Sequence, residues 1–178
     1  MRDLRLISAG FGGQGVLFIG KVAANAGMLD NMNVAWLPSY GPEMRGGTAN
    51  CSVCISEKTI NSPIVSHPDV LIALNNPSLE KFSDSVKTGG LIICDKDIVT
   101  LNSGREDVEE IGACATELAE KNGVKGLSNM IILGMLYAKT KFCTEKALFE
   151  AIKICTPKRK SEMLELNYKA VRLGMDLV

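Results

Sequence analysis

Residues 4–29 read Leu4-Arg-Leu-Ile-Ser-Ala-Gly10-Phe-Gly-Gly-Gln-Gly15-Val-Leu-Phe-Ile-Gly20-Lys-Val-Ala-Ala-Asn25-Ala-Gly-Met-Leu29. The first six residues form a short apolar run that stops at Gly10, the pattern of a buried strand. From Val16 the period changes. Val16, Ile19, Ala23 and Ala26 recur at helical spacing, and Leu17 and Val22 widen that apolar face. Between the two lies Gly10-x-Gly12-x-x-Gly15. Strand, glycine turn and helix together open a βαβ unit, and the fold class predicted from this stretch is α/β.

The rest of the chain extends the pattern. Val34–Leu37 reads as a second strand ended by Pro38, and Ser39–Gly47 as a loop. Thr48–Ser56 alternates, with Ala49, Cys51, Val53 and Ile55 facing one way. Asp69–Leu74 and Leu91–Asp95 are continuous apolar strands. Between them, a short helix starting at Pro77 presents Leu79, Phe82 and Val86, and Gly89-Gly90 ends it. Such strands alternating with helices predict a mainly parallel sheet covered on both faces, a Rossmann-like three-layer sandwich. Val108–Gly112 reads as one more short strand and Cys114–Asn122 as a helix. Ser128 is expected to cap a helix through Lys139 that is apolar nearly all round. Thr144 is expected to cap a helix at Glu145–Ile154, and a last helix is expected over about Lys160–Leu173. The expectation is one domain over residues 1–178, with the helices of about 128–178 packed on or beside the sheet.

Composition narrows the function classes. Twenty Lys and Arg balance 20 Asp and Glu in 178 residues, which argues against nucleic acid or an anionic membrane as the main partner. With 5% aromatic residues, stacking platforms for bases are scarce. His67 is the one histidine, so three-histidine zinc sites and bis-histidine haem are excluded. Of six cysteines only Cys51 and Cys54 are close, and on a strand their spacing points them to opposite faces. That rules against a thioredoxin-type pair, and the repeated spacing of an iron–sulfur motif is missing. There is no signal-peptide pattern and no apolar run near the roughly 18 residues of a membrane span, so the chain is expected to be cytoplasmic. Residues 139–160 carry seven basic and two acidic side chains, read here as a solvated face.

Two glycine-rich motifs carry what chemistry there is. The first, Gly10-x-Gly12-x-x-Gly15, permits a tight turn and a close approach of backbone to a diphosphate. A dinucleotide fingerprint also needs an acid at the end of the second strand, where Pro38 and Ser39 stand. The overlapping Gly15…Gly20-Lys21-Val22 lacks the hydroxyl of a P-loop and is apolar in the middle, a coincidence of spacing. The second motif is Tyr40-Gly-Pro-Glu43-Met-Arg45-Gly46-Gly47, just beyond the second strand and expected at the same sheet edge as the first. Arg45 could clamp a carboxylate or phosphate, or pair with Glu43. The candidate ligand or interface residues are therefore Gly10, Gly12, Gly13, Gln14, Gly15, Tyr40, Glu43, Arg45, Gly46, Gly47 and Asn75. Asn75 fits a helix start equally well.

The two glycine motifs, together with Pro68-Asp-Val-Leu-Ile-Ala-Leu-Asn75 and Asn129-Met-Ile-Ile-Leu-Gly134, closely resemble the gamma subunit of 2-oxoacid:ferredoxin oxidoreductases. Order and spacing fit over nearly the whole chain. The 2-oxoglutarate and branched-chain types match best, and the small indolepyruvate oxidoreductase subunit is similar. The resemblance implies a complex that converts a 2-oxoacid, 2-oxoglutarate favoured, to an acyl-CoA. It implies thiamine diphosphate with Mg and iron–sulfur clusters, with coenzyme A as acyl acceptor and ferredoxin as electron acceptor. Alpha and beta subunits would carry the thiamine site and a ferredoxin-like delta subunit the clusters. No cofactor and no catalytic residue is expected on this chain alone, and a homodimer is open to it in isolation. From the residues alone, a stand-alone dinucleotide-binding oxidoreductase and a ligand-free assembly module remain rivals.

Overall fold

A computed structural model describes residues 3–40, 48–157 and 161–178. Six strands form one sheet in the order β2-β3-β1-β4-β5-β6. They are β1 (Leu4–Phe11), β2 (Asn33–Tyr40), β3 (Thr48–Ser56), β4 (Val70–Ala73), β5 (Leu91–Asp95) and β6 (Glu109–Ala113). The helices are α1 (Val16–Leu29), α2 (Asn76–Phe82), α3 (Ala115–Lys121), α4 (Ser128–Thr140), α5 (Glu145–Cys155) and α6 (Met163–Met175). None is long and apolar enough to cross a membrane.

The pairings β1–β4, β4–β5 and β5–β6 are parallel, as the continuous apolar runs predicted. β3 lies antiparallel between β1 and β2. β2 and β3 thus form a hairpin that leaves β2 parallel to β1. This explains why β3 alternates while β4 and β5 do not. β2 runs on through Pro38 to Tyr40 rather than ending at Leu37. Among the described strands it is an edge, and an edge strand tolerates the missing N–H of proline.

Two cores flank the sheet. Leu6, Ile72 and Ile93 face the larger one, with α1, α4, α5 and α6. Ile7, Leu71 and Ile92 face the smaller one, covered by α2 and by loop residues such as Val65 and Val99. The α4 reading holds: its residues 129–137 are buried throughout. Its start differs from expectation. Ser128 is the first helical residue, Leu127 is the cap, and no side chain caps that end. The preceding turn provides the bonds instead, with Met130 N–H donating to Leu127 O at 2.9 Å. Thr144 caps α5 as expected, its Oγ1 accepting from Ala147 N–H at 3.2 Å. Cys114 precedes α3, whose first turn is tied down by a buried carboxylate. Asp95 accepts from Ala115 N–H at 3.1 Å and from Thr116 Oγ1 at 2.7 Å.

Candidate functional site

The glycine turn sits where β1 ends. Gly10 closes the buried part of β1, Phe11 ends the strand, and Gly12 begins the turn. Gly13 and Gly15 have φ of +100° and +80°, the left-handed region that a side chain disfavours. Gln14, between them, turns its carboxamide inward. Its Oε1 accepts from Phe11 N–H at 2.6 Å and its Nε2 donates to Leu74 O at 2.7 Å. Both ends of the amide are therefore committed, and they tie the end of β1 to the end of β4. That gap is where the chain direction reverses, since α1 leads to one side of the sheet and α2 to the other. In open α/β sheets this crevice takes the ligand. Here the Gln14 side chain bridges it.

Asn75 takes part in the same edge as the cap of α2. Its Oδ1 accepts from Ser78 N–H at 2.8 Å, and its buried Nδ2 has no partner among the described residues. The second motif comes to this edge too: Phe11 pairs with Thr48, and Tyr40 with Ala49. The common edge predicted from sequence is thus present at both ends of the hairpin loop. Glu43, Arg45, Gly46 and Gly47 lie outside the described residues, and Tyr40 is placed by its backbone only.

A cleft of about 380 Å³ opens beside the glycine turn. One wall is Gly13–Gly15 with the first two turns of α1. The others are the start of α4, the end of α5 and the face of α6 that carries Met163 and Asn167. Lys21 and Asn129 line it, both missed when the sequence was read for sites. Asn129 stands 114 residues from Gly15, and no local motif links them. Their neighbourhood is tight: a β-carbon on Gly15 would overlap the Asn129 Nδ2 and lie 2.8 Å from its Cγ. Asn167 donates to Thr156 Oγ1 at 3.2 Å across the cleft's far wall.

The other features carry less. Cys51 and Cys54 do face opposite sides of the sheet. Burial pushes the Cys51 thiol up to about 11, and Cys54 is raised by the same cause. In the near-P-loop Gly15 is the cap of α1 and Val16–Val22 lie inside that helix, where Gly20 packs on Cys51 and Trp36. Asp97, Cys114 and Glu117 bring their ligand atoms within 4.8 Å of one another, but all three are exposed. Glu117 is already paired with Lys121 at 2.7 Å.

The sequence model of the pyruvate ferredoxin/flavodoxin oxidoreductase family matches residues 5–177. The chain belongs to that family. Among relatives in the family, it is similar to the ketoisovalerate oxidoreductase subunit VorA of Methanothermobacter thermautotrophicus, 39% identical over 175 residues. That match covers 98% of this chain and 36% of VorA, so the chain spans about a third of that relative's length. It is also similar to the 2-oxoglutarate synthase subunit KorC of Methanothermobacter marburgensis, 38% identical over 184 residues, covering 99% of this chain and 96% of KorC. The crystal structure of the keto/oxoacid ferredoxin oxidoreductase gamma subunit from Geobacter sulfurreducens aligns with a TM-score of 0.82 at 27% identity. It covers 97% of this chain and 96% of that one.

Proposed function

We propose that the chain is the gamma subunit of a thiamine-diphosphate-dependent 2-oxoacid:ferredoxin oxidoreductase, acting on 2-oxoglutarate in preference to branched-chain 2-oxoacids. The observation that supports this reading is the match with KorC, 38% identical over 184 residues and covering 99% of this chain.

The described residues do not fit the redox cofactors. Five of the six cysteines are buried and the sixth, Cys114, is exposed, and none forms a cluster-binding set. The cleft's described lining has no carboxylate to hold Mg beside a diphosphate. Decarboxylation and electron transfer therefore belong to alpha, beta and delta partners, with ferredoxin as acceptor. This chain's part is to present the glycine-turn edge and the hairpin loop to the catalytic subunits, next to the thiamine or coenzyme A site. Missing glycine at Gly13 would distort the turn, and Arg45 supplies a fixed charge that can face an anion.

The test is reconstitution of the complex with Gly13→Ala or Arg45→Ala chains, following 2-oxoglutarate-dependent reduction of ferredoxin. Loss of turnover with the complex still assembled supports a role beside the active site. Normal turnover in both variants leaves an assembly role alone. Stoichiometric, tight binding of NADH by the chain overturns the subunit reading in favour of a dinucleotide enzyme.

A further inference from the structure

We infer that the open edge of β2 is a self-pairing interface: two copies of this chain join through antiparallel β2 strands about a two-fold axis, so that their sheets run on into one another. The inference stands on this chain's own strand, and it sets two such chains side by side in any complex that contains them.

The two edges of the sheet differ in kind. β6, at one edge, is five residues long and carries Glu109 and Glu110. These pair with Lys139 at 2.6 Å and with Lys96 at 2.9 Å. A short, charged strand is the usual protection against edge-to-edge association. β2, at the other edge, has eight residues, Asn33-Val-Ala-Trp-Leu-Pro-Ser-Tyr40, and none is charged. No strand lies on its outer side among the described residues. Trp36 is 38% exposed and Leu37 is 42% exposed. As neighbours on a strand they point to opposite faces of the sheet. Gly20 of α1 packs on Trp36, so Trp36 is on the α1 face and Leu37 on the other. An edge that is long, uncharged and apolar on both faces invites a further strand.

The strand best suited to it is its own twin. A two-fold axis brings each residue near the axis next to the same residue of the other copy, so any charge there would repel itself. β2 carries none. Antiparallel pairing of a strand with itself exchanges backbone hydrogen bonds in both directions, the isologous arrangement. Pro38 restricts the register. Alternate residues of an edge strand turn their N–H and C=O groups outward, and a proline belongs to that set, its missing N–H on the open side. The outward set is then Val34, Trp36, Pro38 and the Tyr40 backbone. Outward residues must meet outward residues. Strands paired over nearly their whole length therefore have the axis at Trp36 or at Leu37. In either register Leu37 lies opposite its twin or one diagonal step away, roughly 7–8 Å.

The experiment is size-exclusion chromatography with light scattering on the full chain, from about 5 µM to about 0.5 mM. Fluorescence of Trp36, the one tryptophan, is followed over the same range. The expected result is a mass that rises from one chain to two, with the Trp36 emission moving to the blue in step. Leu37→Lys and Leu37→Glu should each weaken the dimer by about a hundredfold, through like charges facing across the axis. An equimolar mixture of the two variants should restore it, because only contact between twin positions lets one charge answer the other. Leu37 is exposed, so both variants keep the fold, which circular dichroism checks, and the wild-type titration needs no variant at all. A monomer throughout the range overturns the proposal. So does a dimer that neither variant weakens, or a pair of variants that fail to rescue each other. A monomeric chain whose Leu37→Lys variant fails to join the oxidoreductase complex gives this edge to a partner subunit, and overturns the proposal as well.

Discussion

Replacing Gly134 with alanine would drive a methyl group into the backbone of α6. Gly134 on α4 and Gly174 on α6 face each other where the two helices cross. A β-carbon on Gly134 would overlap the Val171 carbonyl oxygen and lie 2.9 Å from both the Gly174 Cα and the Met175 nitrogen. A carbon needs about 3.3 Å from a carbonyl oxygen, so the helices must part by on the order of 1 Å. Both obstacles are main chain, which cannot swing aside as a side chain can. Overpacking of this kind costs roughly 1–3 kcal/mol, and the rigid neighbours put Gly134→Ala at about 3. Alanine returns about 1 kcal/mol through its better helix propensity. The net is a loss of about 2 kcal/mol, or a Tm lower by roughly 4–8 °C for a domain of this size. The sign is the point. Propensity alone predicts a stabilised protein, and the packing predicts a weakened one. Urea unfolding followed by circular dichroism, with thermal melts beside it, separates them. Gly174→Ala should behave alike, since its β-carbon would overlap Ile131 O. The double variant should cost less than the sum, because helices already parted admit the second methyl more easily. Stability equal to or above wild type in either single variant would refute the close-crossing argument.

Further outcomes follow from the same geometry. Asp95→Ala removes the carboxylate that receives Ala115 N–H and Thr116 Oγ1, and urea unfolding should show a loss of about 2 kcal/mol. The hydrogen bonds from Arg105 and then Thr88 hold Asp107 well below the usual carboxylate range. A carboxylate depressed in the folded state contributes stability that is present above about pH 4 and is lost as the pH falls toward its folded value. Stability measured down to about pH 2 should therefore fall less steeply in Asp107→Asn than in wild type. Of the six cysteines only Cys114 is exposed, so native protein should release one equivalent with a disulfide reagent before unfolding. The charge of Asp97 raises the Cys114 thiol, so this reaction should quicken markedly as the pH is raised past 9 (about the ordinary cysteine value).

Much of the fold was legible because it rests on local periodicity. The buried runs of β1, β4 and β5 and the all-round apolar α4 are statements about burial, and the structure places them in the two cores. Strand direction was harder. β3 alternates, which signals one exposed or differently packed face, but its antiparallel insertion between β1 and β2 depends on a hairpin and not on any single residue. Pro38 misled the strand boundary because sequence does not announce which strand will lie at an edge. At the site, Gly13 and Gly15 were visible as glycines, and their left-handed backbone explains them. Gln14 was read for a ligand, whereas its amide ties β1 to β4 across a separation of 60 residues. Asn129 and Lys21 carry no motif, and only the packing of α4 on α1 brings them beside the same glycine turn.

The central claim is membership of a working 2-oxoacid oxidoreductase, and it is tested most directly by purifying the affinity-tagged chain from its native cell. The eluate should contain the thiamine-bearing and cluster-bearing subunits. It should reduce ferredoxin when given both 2-oxoglutarate and coenzyme A, and fail when either is withheld. A chain that elutes alone, or a complex inert toward every 2-oxoacid offered, would contradict the account.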